Sequence, residues 1–473
     1  MANAPCIPVP SPQDILDKLF PEGAIAPPSL PAAWTAKVLL TPFGGQKESR
    51  ITPSDQLVVG NATYDASDPH ERFMRIRLYL FESLYYYDFL FRTANGQTQW
   101  WWLISDPGNR NGPPASSFGP FATRVSVPAR DFLAANNFSH AGSWNVLGRS
   151  CDAFSARRSV KAAGTWFWFE SENLTRIMNV DTPNDFEIPI LGAYYFVDLP
   201  TIEPPTSAPL RDLYKQCATA TSGGPPPSAM VTQSDILLAM STPPFGRQVK
   251  CAMKHIQALL PAIAPPPRRI KPPAWTHRVN SECVMIGQET QAYYSQVWYD
   301  WDRGCQVTVL VRHNNGSYSQ RLDEILPKGV IGPSVEYSWN EAQWTPARCN
   351  ADGGGVPMPR PNFIERAKGV CRAIFDDFRL GRLSIWSVAL PDEHGNWMSD
   401  FWYWFNQHQQ QVIFSLAPAP FLTVIYYQTF VRNGSIAACV FDNPCADIPP
   451  SPDHMLAALR ARPTFSPLTQ ILS

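Results

Sequence analysis

The chain reads as a mainly β (α+β) protein: two tandem antiparallel sheets, each with a helix inserted midway, joined by a proline-rich linker. Three observations predict this. Short runs alternate with period two, as where Ile76, Leu78 and Leu80 interleave with Arg75, Arg77 and Tyr79, which marks a strand with one wet face. Asn95-Gly96 and Asn315-Gly316 supply tight hairpin turns between such runs. A proline-led Trp-Thr segment also occurs twice, at Pro27 to Thr35 and at Pro272 to Thr276, which points to one module present in two copies.

The elements follow in order. Ser11 caps a short helix with Pro12 at its first position and Asp14 in its first turn; Ser234-Asp235-Ile236-Leu237 repeats the signal, and Gln248 to Leu260 is patterned like a further helix. After the first Trp-Thr segment, β composition runs through Asp55 to Gly60, Arg75 to Phe81 and Tyr85 to Phe91, and the second copy answers with Tyr293 to Asp300 and Cys305 to Arg312. Late in each copy lies an aromatic strand, Gly164 to Phe169 and Phe401 to Phe405. Each is followed by an apolar stretch with a Tyr-Tyr pair, Glu187 to Val197 and Val412 to Phe430. The inserted helix is predicted over Pro128 to Asn136 and Pro361 to Phe378, and Thr201 to Lys271 reads as a proline-stiffened linker.

A chain of 473 residues is long for one core, and roughly 100 to 200 residues per domain gives two or three. The predicted division is 1–26 for an N-terminal helix and lead-in, 27–205 for the first sheet domain, 206–271 for the linker with short helices, 272–448 for a second, divergent domain, and 449–473 for a C-terminal tail or helix.

A formal net charge of -1 offers no field to attract phosphate backbones or anionic headgroups, so no nucleic-acid partner is expected. Met1 to Pro10 lacks a basic region followed by an apolar run, and no stretch reaches the roughly 20 apolar residues of a membrane span. A soluble, cytoplasmic protein is the expectation. Ten cysteines without a CxxC frame and eight isolated histidines predict no metal centre, the thiols serving as small buried hydrophobes.

No GxSxG elbow, HExxH motif or P-loop is present, since Asp352-Gly353-Gly354-Gly355 lacks the lysine that would follow. What remains is aromatic wealth with polar residues among it, the composition of a small-molecule pocket. Taken singly, most of the 16 tryptophans are core fillers. Trp100, Trp101 and Trp102 are consecutive, however, and strand neighbours point to opposite faces, so the three cannot all enter one core.

The first copy resembles the VioE family of violacein-biosynthesis enzymes, whose fold is similar to the partial β-barrel of the lipoprotein carrier LolA. The resemblance runs through Trp34-Thr35, Asp55-Gln56-Leu57, Gly60, Tyr64-Asp65 and Arg75-Ile76, then Gly119 to Ala122, Val127 to Asp131, Val146 to Arg149 and Leu174 to Met178. The second copy keeps Trp275-Thr276, Tyr299-Asp300 and Cys305. The resemblance implies curved partial barrels with a helix packed in each cup, and a reaction without cofactor or metal in which the sheet holds an oxidised aromatic intermediate in its reactive conformer.

Family positions transfer unevenly. The leading tryptophan matches Trp34 and Trp275, the tyrosine four residues on is Val38 and Val279 here, and the pocket serine is Leu40 in one copy and Ser281 in the other. The acidic pocket residue falls near Thr93 and beside Glu324, and the late arginine near Val197 and Thr429, with Arg432 close by.

The expected function is a cofactor-independent enzyme of secondary metabolism that directs rearrangement, cyclisation or coupling of an aromatic or polyketide-like intermediate. The candidate catalytic residues are Glu324, Arg312 and Ser281: a carboxylate in an apolar cup has a raised pKa and can move a proton, while an arginine can hold an enolate. The candidate substrate-binding residues are Trp34, Arg75, Tyr87, Trp275, Tyr299, Trp402 and Arg432. The alternative is a non-catalytic carrier of lipids or hydrophobic metabolites. The expected partners are that small molecule and either a second copy of the chain or the other domain within it.

Overall fold

A computed structural model describes residues 17, 25–42, 58–80, 85–104, 116–123, 126–157, 164–170, 176–181, 192–196, 201–202, 208–219, 263–264, 270–286, 292–312, 318–325, 334–339, 348–352, 360–377, 380–391, 397–417 and 423–441. The chain forms two compact units. One comprises Ala24–His140 and Cys151–Ala264, the other Met1–Gly23, Ala141–Ser150 and Pro265–Ser473.

The first sheet consists of β1 (Ala33–Pro42), β2 (Val58–Asp65), β3 (Glu71–Leu80), β4 (Tyr85–Ala94), β5 (Gln97–Ile104), β6 (Ser116–Thr123), β7 (Ser139–Val146), β8 (Arg149–Arg157), β9 (Gly164–Glu170), β10 (Arg176–Asp181), β11 (Gly192–Phe196) and the short β12 (Thr201–Ile202). Its order is β6-β5-β4-β3-β2-β1-β11-β10-β9-β8-β7, with β12 also paired to β1. The second sheet holds β13 (Ile263–Ala264), β14 (Arg278–Ile286), β15 (Ala292–Asp300), β16 (Cys305–Arg312), β17 (Tyr318–Ile325), β18 (Ser334–Trp339), β19 (Arg348–Asp352), β20 (Val370–Asp377), β21 (Gly381–Pro391), β22 (Trp397–Phe405), β23 (Gln411–Ala417) and β24 (Thr423–Arg432). Its order is β13-β20-β21-β22-β23-β24-β14-β15-β16-β17-β18-β19. Both are 12-stranded, and the ends of neither order pair with each other among the described residues. The mainly β, antiparallel class is as the alternation predicts, with open sheets rather than closed barrels.

Short helices cross one face of each sheet: α1 (Phe132–Ala135) in the first unit, and in the second a helix over Phe363–Arg366. The α1 segment is pinned from below. The Tyr64 hydroxyl donates to the Pro128 carbonyl at 2.8 Å, the Val127 N–H donates to Thr93 Oγ1 at 2.8 Å, and the Leu30 N–H donates to the Arg130 carbonyl at 2.7 Å. Thr93, near which the resemblance puts an acidic pocket residue, thus holds the helix lead-in. Leu30, Phe132, Leu133, Phe138, Phe154 and Ala156 close the core beneath it.

The opposite face of the first sheet is also covered, by α2 (Ala208–Thr219), which lies within the stretch the sequence reads as linker. Leu210, Leu213 and Cys217 of α2 pack on Phe73, Leu90, Trp101 and Leu103. The Tyr214 ring meets Trp101 edge-on at 5.3 Å and lies under the Arg92 guanidinium at 4.4 Å. Arg211 reaches Asp68 and Glu71 at 3.2 and 3.1 Å. Such partly exposed ion pairs contribute about 1 kcal/mol at most, whereas each buried leucine contributes roughly 2 kcal/mol, so the apolar stripe does the holding. This docking resolves the three consecutive tryptophans: Trp101 lies on the α2 face, and Trp100 on the α1 face against Phe121 at 4.7 Å. Segment 220–262, with the helices predicted near Ser234 and over Gln248 to Leu260, lies outside the described residues, as does the helix at Ser11.

The Phe363–Arg366 helix, α3, is shorter than the predicted Pro361 to Phe378. It closes after one turn because Lys368 takes a left-handed φ of 53° and the Gly369 N–H donates back to the Ile364 carbonyl at 2.8 Å. At Gly369 a side chain would meet Ile364 Cγ2 at 2.6 Å. The residues beyond, Val370 to Phe375, are β-branched or apolar in the main and pair with β21 instead. Val412 to Phe430, predicted as one apolar stretch, is likewise two strands.

Backbone bonding in the two units matches at several points. Ala66 N–H donates to Ala32 and Trp301 N–H to His277; Leu30 N–H donates to Arg130 and Trp275 N–H to Pro361; Asn137 and Lys368 occupy the same left-handed position after α1 and α3. Ala33 pairs with Asp65 as Arg278 pairs with Asp300. By this register Trp34 corresponds to Val279 and Trp275 to Leu30. The repeated Trp-Thr words therefore sit four residues out of register, and Ser281 corresponds to Ala36 rather than to Leu40.

Candidate functional site

Trp275 lies at the centre of the α3 face. Its indole meets Tyr299 at 5.4 Å, Phe363 at 5.6 Å and Phe430 at 5.8 Å, each edge-on. These are favourable quadrupole contacts. β14, β15 and β24 set the positions. Val279 pairs with both Tyr299 and Arg432, and Ser281 pairs with Val297 and Phe430, so Val279, Ser281, Tyr299 and Phe430 share one face. From the other side α3 delivers Phe363, which meets Tyr403 at 5.2 Å over Trp386 and Phe405.

A chain of polar groups threads this wall. The Trp275 Nε1–H donates to Gln411 Oε1 at 2.9 Å, and Gln411 Nε2 donates to the Tyr427 hydroxyl at 3.2 Å. Gln411 itself is 1% exposed. Ser281 and Cys283 are buried on the same face.

Burial pushes the Cys283 and Cys371 thiols up to about 12 and holds the phenols of Tyr299, Tyr403 and Tyr427 above the ordinary tyrosine range. The unfolded chain ionises its thiols near 9 and then binds fewer protons than the fold. Stability from these groups is therefore complete below about pH 9 and declines as pH rises toward 12. The denaturant midpoint of the second unit is expected to fall as the pH is raised from about 8 to about 10.5; a flat midpoint across that range contradicts this account of the wall.

The sequence-predicted residues divide. Trp275, Tyr299 and Ser281 come together on the α3 face. Arg432 is adjacent but serves as a staple: Nη1 donates to the His408 carbonyl at 2.9 Å and Nη2 to the Ala274 carbonyl at 3.1 Å, and burial lowers its pKa. Trp402 pairs with Ser387 and Ser415, between Phe401 and Tyr403, and so occupies the face opposite α3, where it is buried.

Glu324 pairs with Gln306, which pairs with Tyr299, placing its backbone about 10 Å from Tyr299 across two strand spacings. Arg312 stands at the far end of the same hairpin, opposite Tyr318, six residues along β16 from Gln306, or about 20 Å. Ser281 is three strands from Leu322 in its own row. The structure does not assemble Glu324, Arg312 and Ser281 into one site, because a hairpin sends residues 12 apart to opposite ends.

In the first unit Trp34 is 2% exposed and stacks on Tyr64 at 5.6 Å. The row continues across the strands through Met74, Phe91, Trp100 and Phe121. The matching row of the second unit, Val279-Tyr299-Gln306-Glu324-Ser334-Asp352, turns polar after two positions. Tyr87 takes the register position opposite Leu78.

Arg75 lies on the α2 face. It binds Asp88 in bidentate fashion, Nε at 2.9 Å and Nη2 at 2.6 Å, while Arg77 Nη2 reaches the same carboxylate at 3.0 Å. Sequence reasoning missed Gln411, Tyr427 and Phe363. The Tyr426-Tyr427 pair was a usable signal, since alternation obliges one of the two to take each face.

Among the described residues no group of His, Cys, Asp and Glu could hold a metal ion, and no helix is long and apolar enough to cross a membrane. The site and fold together define an open antiparallel-sheet protein with an aromatic wall under a one-turn helix. No family model matches the chain, and no curated protein matches it. Among solved structures, it is similar to MucB at a TM-score of 0.21 and 9% identity, over 59% of this chain and 74% of that one. The MucA/MucB complex of Pseudomonas aeruginosa gives a TM-score of 0.21 and 9% identity over 85% and 94%. A mutant of transferrin binding protein B from Haemophilus parasuis gives 0.10 and 6% over 88% and 78%.

Proposed function

We propose that the chain is two tandem copies of one VioE/LolA-like partial barrel, and that the α3 face of the second is a cup for an aromatic or polyketide-like intermediate. In this reading the protein is a cofactor-independent enzyme of secondary metabolism that directs rearrangement, cyclisation or coupling. The matched backbone bonds around α1 and α3 support the tandem module. The observation that carries the function is Trp275: three edge-on aromatic partners and an indole N–H fixed through Gln411 to Tyr427. Apolar walls with a few fixed polar groups are how small-molecule sites are built, and holding one conformer can lower a barrier by several kcal/mol.

Glu324 is retained as the proton-moving candidate, since it shares the row of Tyr299. Arg312, about 20 Å along the strand, is assigned no part in the same step.

The second reading, a carrier, draws on the row Trp34-Tyr64-Met74-Phe91-Trp100-Phe121 of the first unit, which suits a hydrophobic cargo. Native mass spectrometry of the purified full chain, followed by organic extraction, separates the two. The enzyme reading expects an aromatic compound or added aromatic probes bound at one equivalent; a retained acyl lipid and no affinity for aromatics supports the carrier.

A further inference from the structure

The orientation of Gln411 is fixed by its neighbours. An indole N–H can only donate, so the end of the amide that faces Trp275 at 2.9 Å is the carbonyl, and the NH2 end faces the Tyr427 oxygen at 3.2 Å. That leaves the phenol in a defined state. Its oxygen accepts from Gln411, and its own O–H is directed elsewhere.

Among the described residues, the bond from Gln411 is the hydrogen bond Tyr427 makes. Its ring is anchored edge-on to Phe430 at 5.5 Å, and its strand position is opposite Cys283. The Tyr427 side chain as a whole is half-buried, with its hydroxyl at the buried end beside Gln411. Burial holds the phenol above the ordinary tyrosine range.

The charge of the surroundings selects the acceptor. Val279, Ser281, Cys283, Tyr299 and Phe430 carry no cationic group. Arg432 gives Nη1 and Nη2 to the carbonyls of His408 and Ala274, its buried Nε has no hydrogen-bond partner, and it stands opposite Val279, four residues along β14 (about 13 Å) from the Cys283 that Tyr427 faces. An anionic ligand group would be desolvated there without a counter-charge, which is costly; a neutral acceptor needs one good donor.

Resting on the reading of this face as an aromatic cup, we propose that Tyr427 is its orienting hydrogen-bond donor, with Gln411 as positioning residue, and that the ligand class is an uncharged aryl carbonyl. The amide turns the phenol's lone pair inward and its proton toward the ligand's carbonyl oxygen.

Calorimetric titration of the full chain with three matched probes tests this: acetylnaphthalene (a neutral carbonyl), ethylnaphthalene (no acceptor) and naphthoate (an anion). Acetylnaphthalene is expected to bind most tightly. Tyr427→Phe, which preserves the ring and its packing, is expected to weaken it by about 5- to 10-fold, the worth of one neutral hydrogen bond, and to change ethylnaphthalene by less than about 2-fold. Gln411→Glu, which keeps an acceptor for Trp275 but removes the N–H toward Tyr427, is expected to reproduce the selective loss.

Equal losses for both neutral probes make Tyr427 a packing residue and overturn the inference while leaving the cup intact. Tightest binding of naphthoate overturns the ligand class. Failure of every probe to bind the unsubstituted chain overturns the cup reading and this inference with it.

Discussion

Replacing Asp88 by asparagine is expected to lower the stability of the first unit by about 3 kcal/mol. Asp88 is fully buried and holds both Arg75 and Arg77, whose side chains retain 24% and 13% exposure. Neutralising the acid takes a shared charged partner from two guanidiniums where water reaches them only in part. Removing one partner of a buried pair typically costs 3 to 5 kcal/mol, and the partial exposure of the arginines sets the expectation at the lower end. Urea denaturation followed through the first unit measures it. A loss below about 1 kcal/mol would mean that the arginines rehydrate freely and that the α2 face is loosely covered.

Trp275→Ala is expected to cost the second unit about 3 kcal/mol as well, and to abolish binding of aromatic probes. The indole joins Tyr299, Phe363 and Phe430, so its removal opens a cavity on the α3 face and withdraws the donor from Gln411, a buried amide. Large-to-small changes at buried aromatics cost about 3 to 5 kcal/mol, and Trp275 is only partly buried, which favours the smaller figure. Trp275→Phe separates the two contributions: it refills most of the cavity and leaves Gln411 Oε1 without its donor, a deficit of about 1 to 3 kcal/mol. Thermal and urea midpoints of both variants, read beside probe binding, check the expectation.

Much of the sheet architecture was legible because period-two alternation is a local property. Tyr293 to Asp300 and Cys305 to Arg312 became strands almost to the residue, and Asn95-Gly96 adopts the left-handed pair that a tight hairpin requires, with φ of 51° and 75°. What was not legible depends on which residues meet across the chain. The Trp-Thr repeat looked like one register mark used twice, yet hydrogen bonding aligns the units through Tyr64-Asp65 and Tyr299-Asp300 and through the turns after α1 and α3. Trp275 takes the position of Leu30, a swap of one large apolar side chain for another.

Proline content made Thr201 to Lys271 read as a linker with short helices; what it did not show is that the apolar stripe of Ala208–Thr219 docks on a sheet face. Arg75 looked like a pocket residue until Asp88, 13 residues on, claimed it. The Trp275-Gln411-Tyr427 chain joins residues 136 and 16 apart, a separation over which no sequence period operates.

Photo-crosslinking tests the central claim, that the α3 face of the second unit is the aromatic-binding cup, most directly. The full chain is irradiated with a naphthyl diazirine, digested and mapped by mass spectrometry, with acetylnaphthalene as competitor. Adducts are expected on the peptides that carry Trp275, Ser281 and Tyr427, and competitor should suppress them. Adducts confined to the peptides of Trp34 and Trp100, or labelling that the competitor leaves unchanged, would contradict the account.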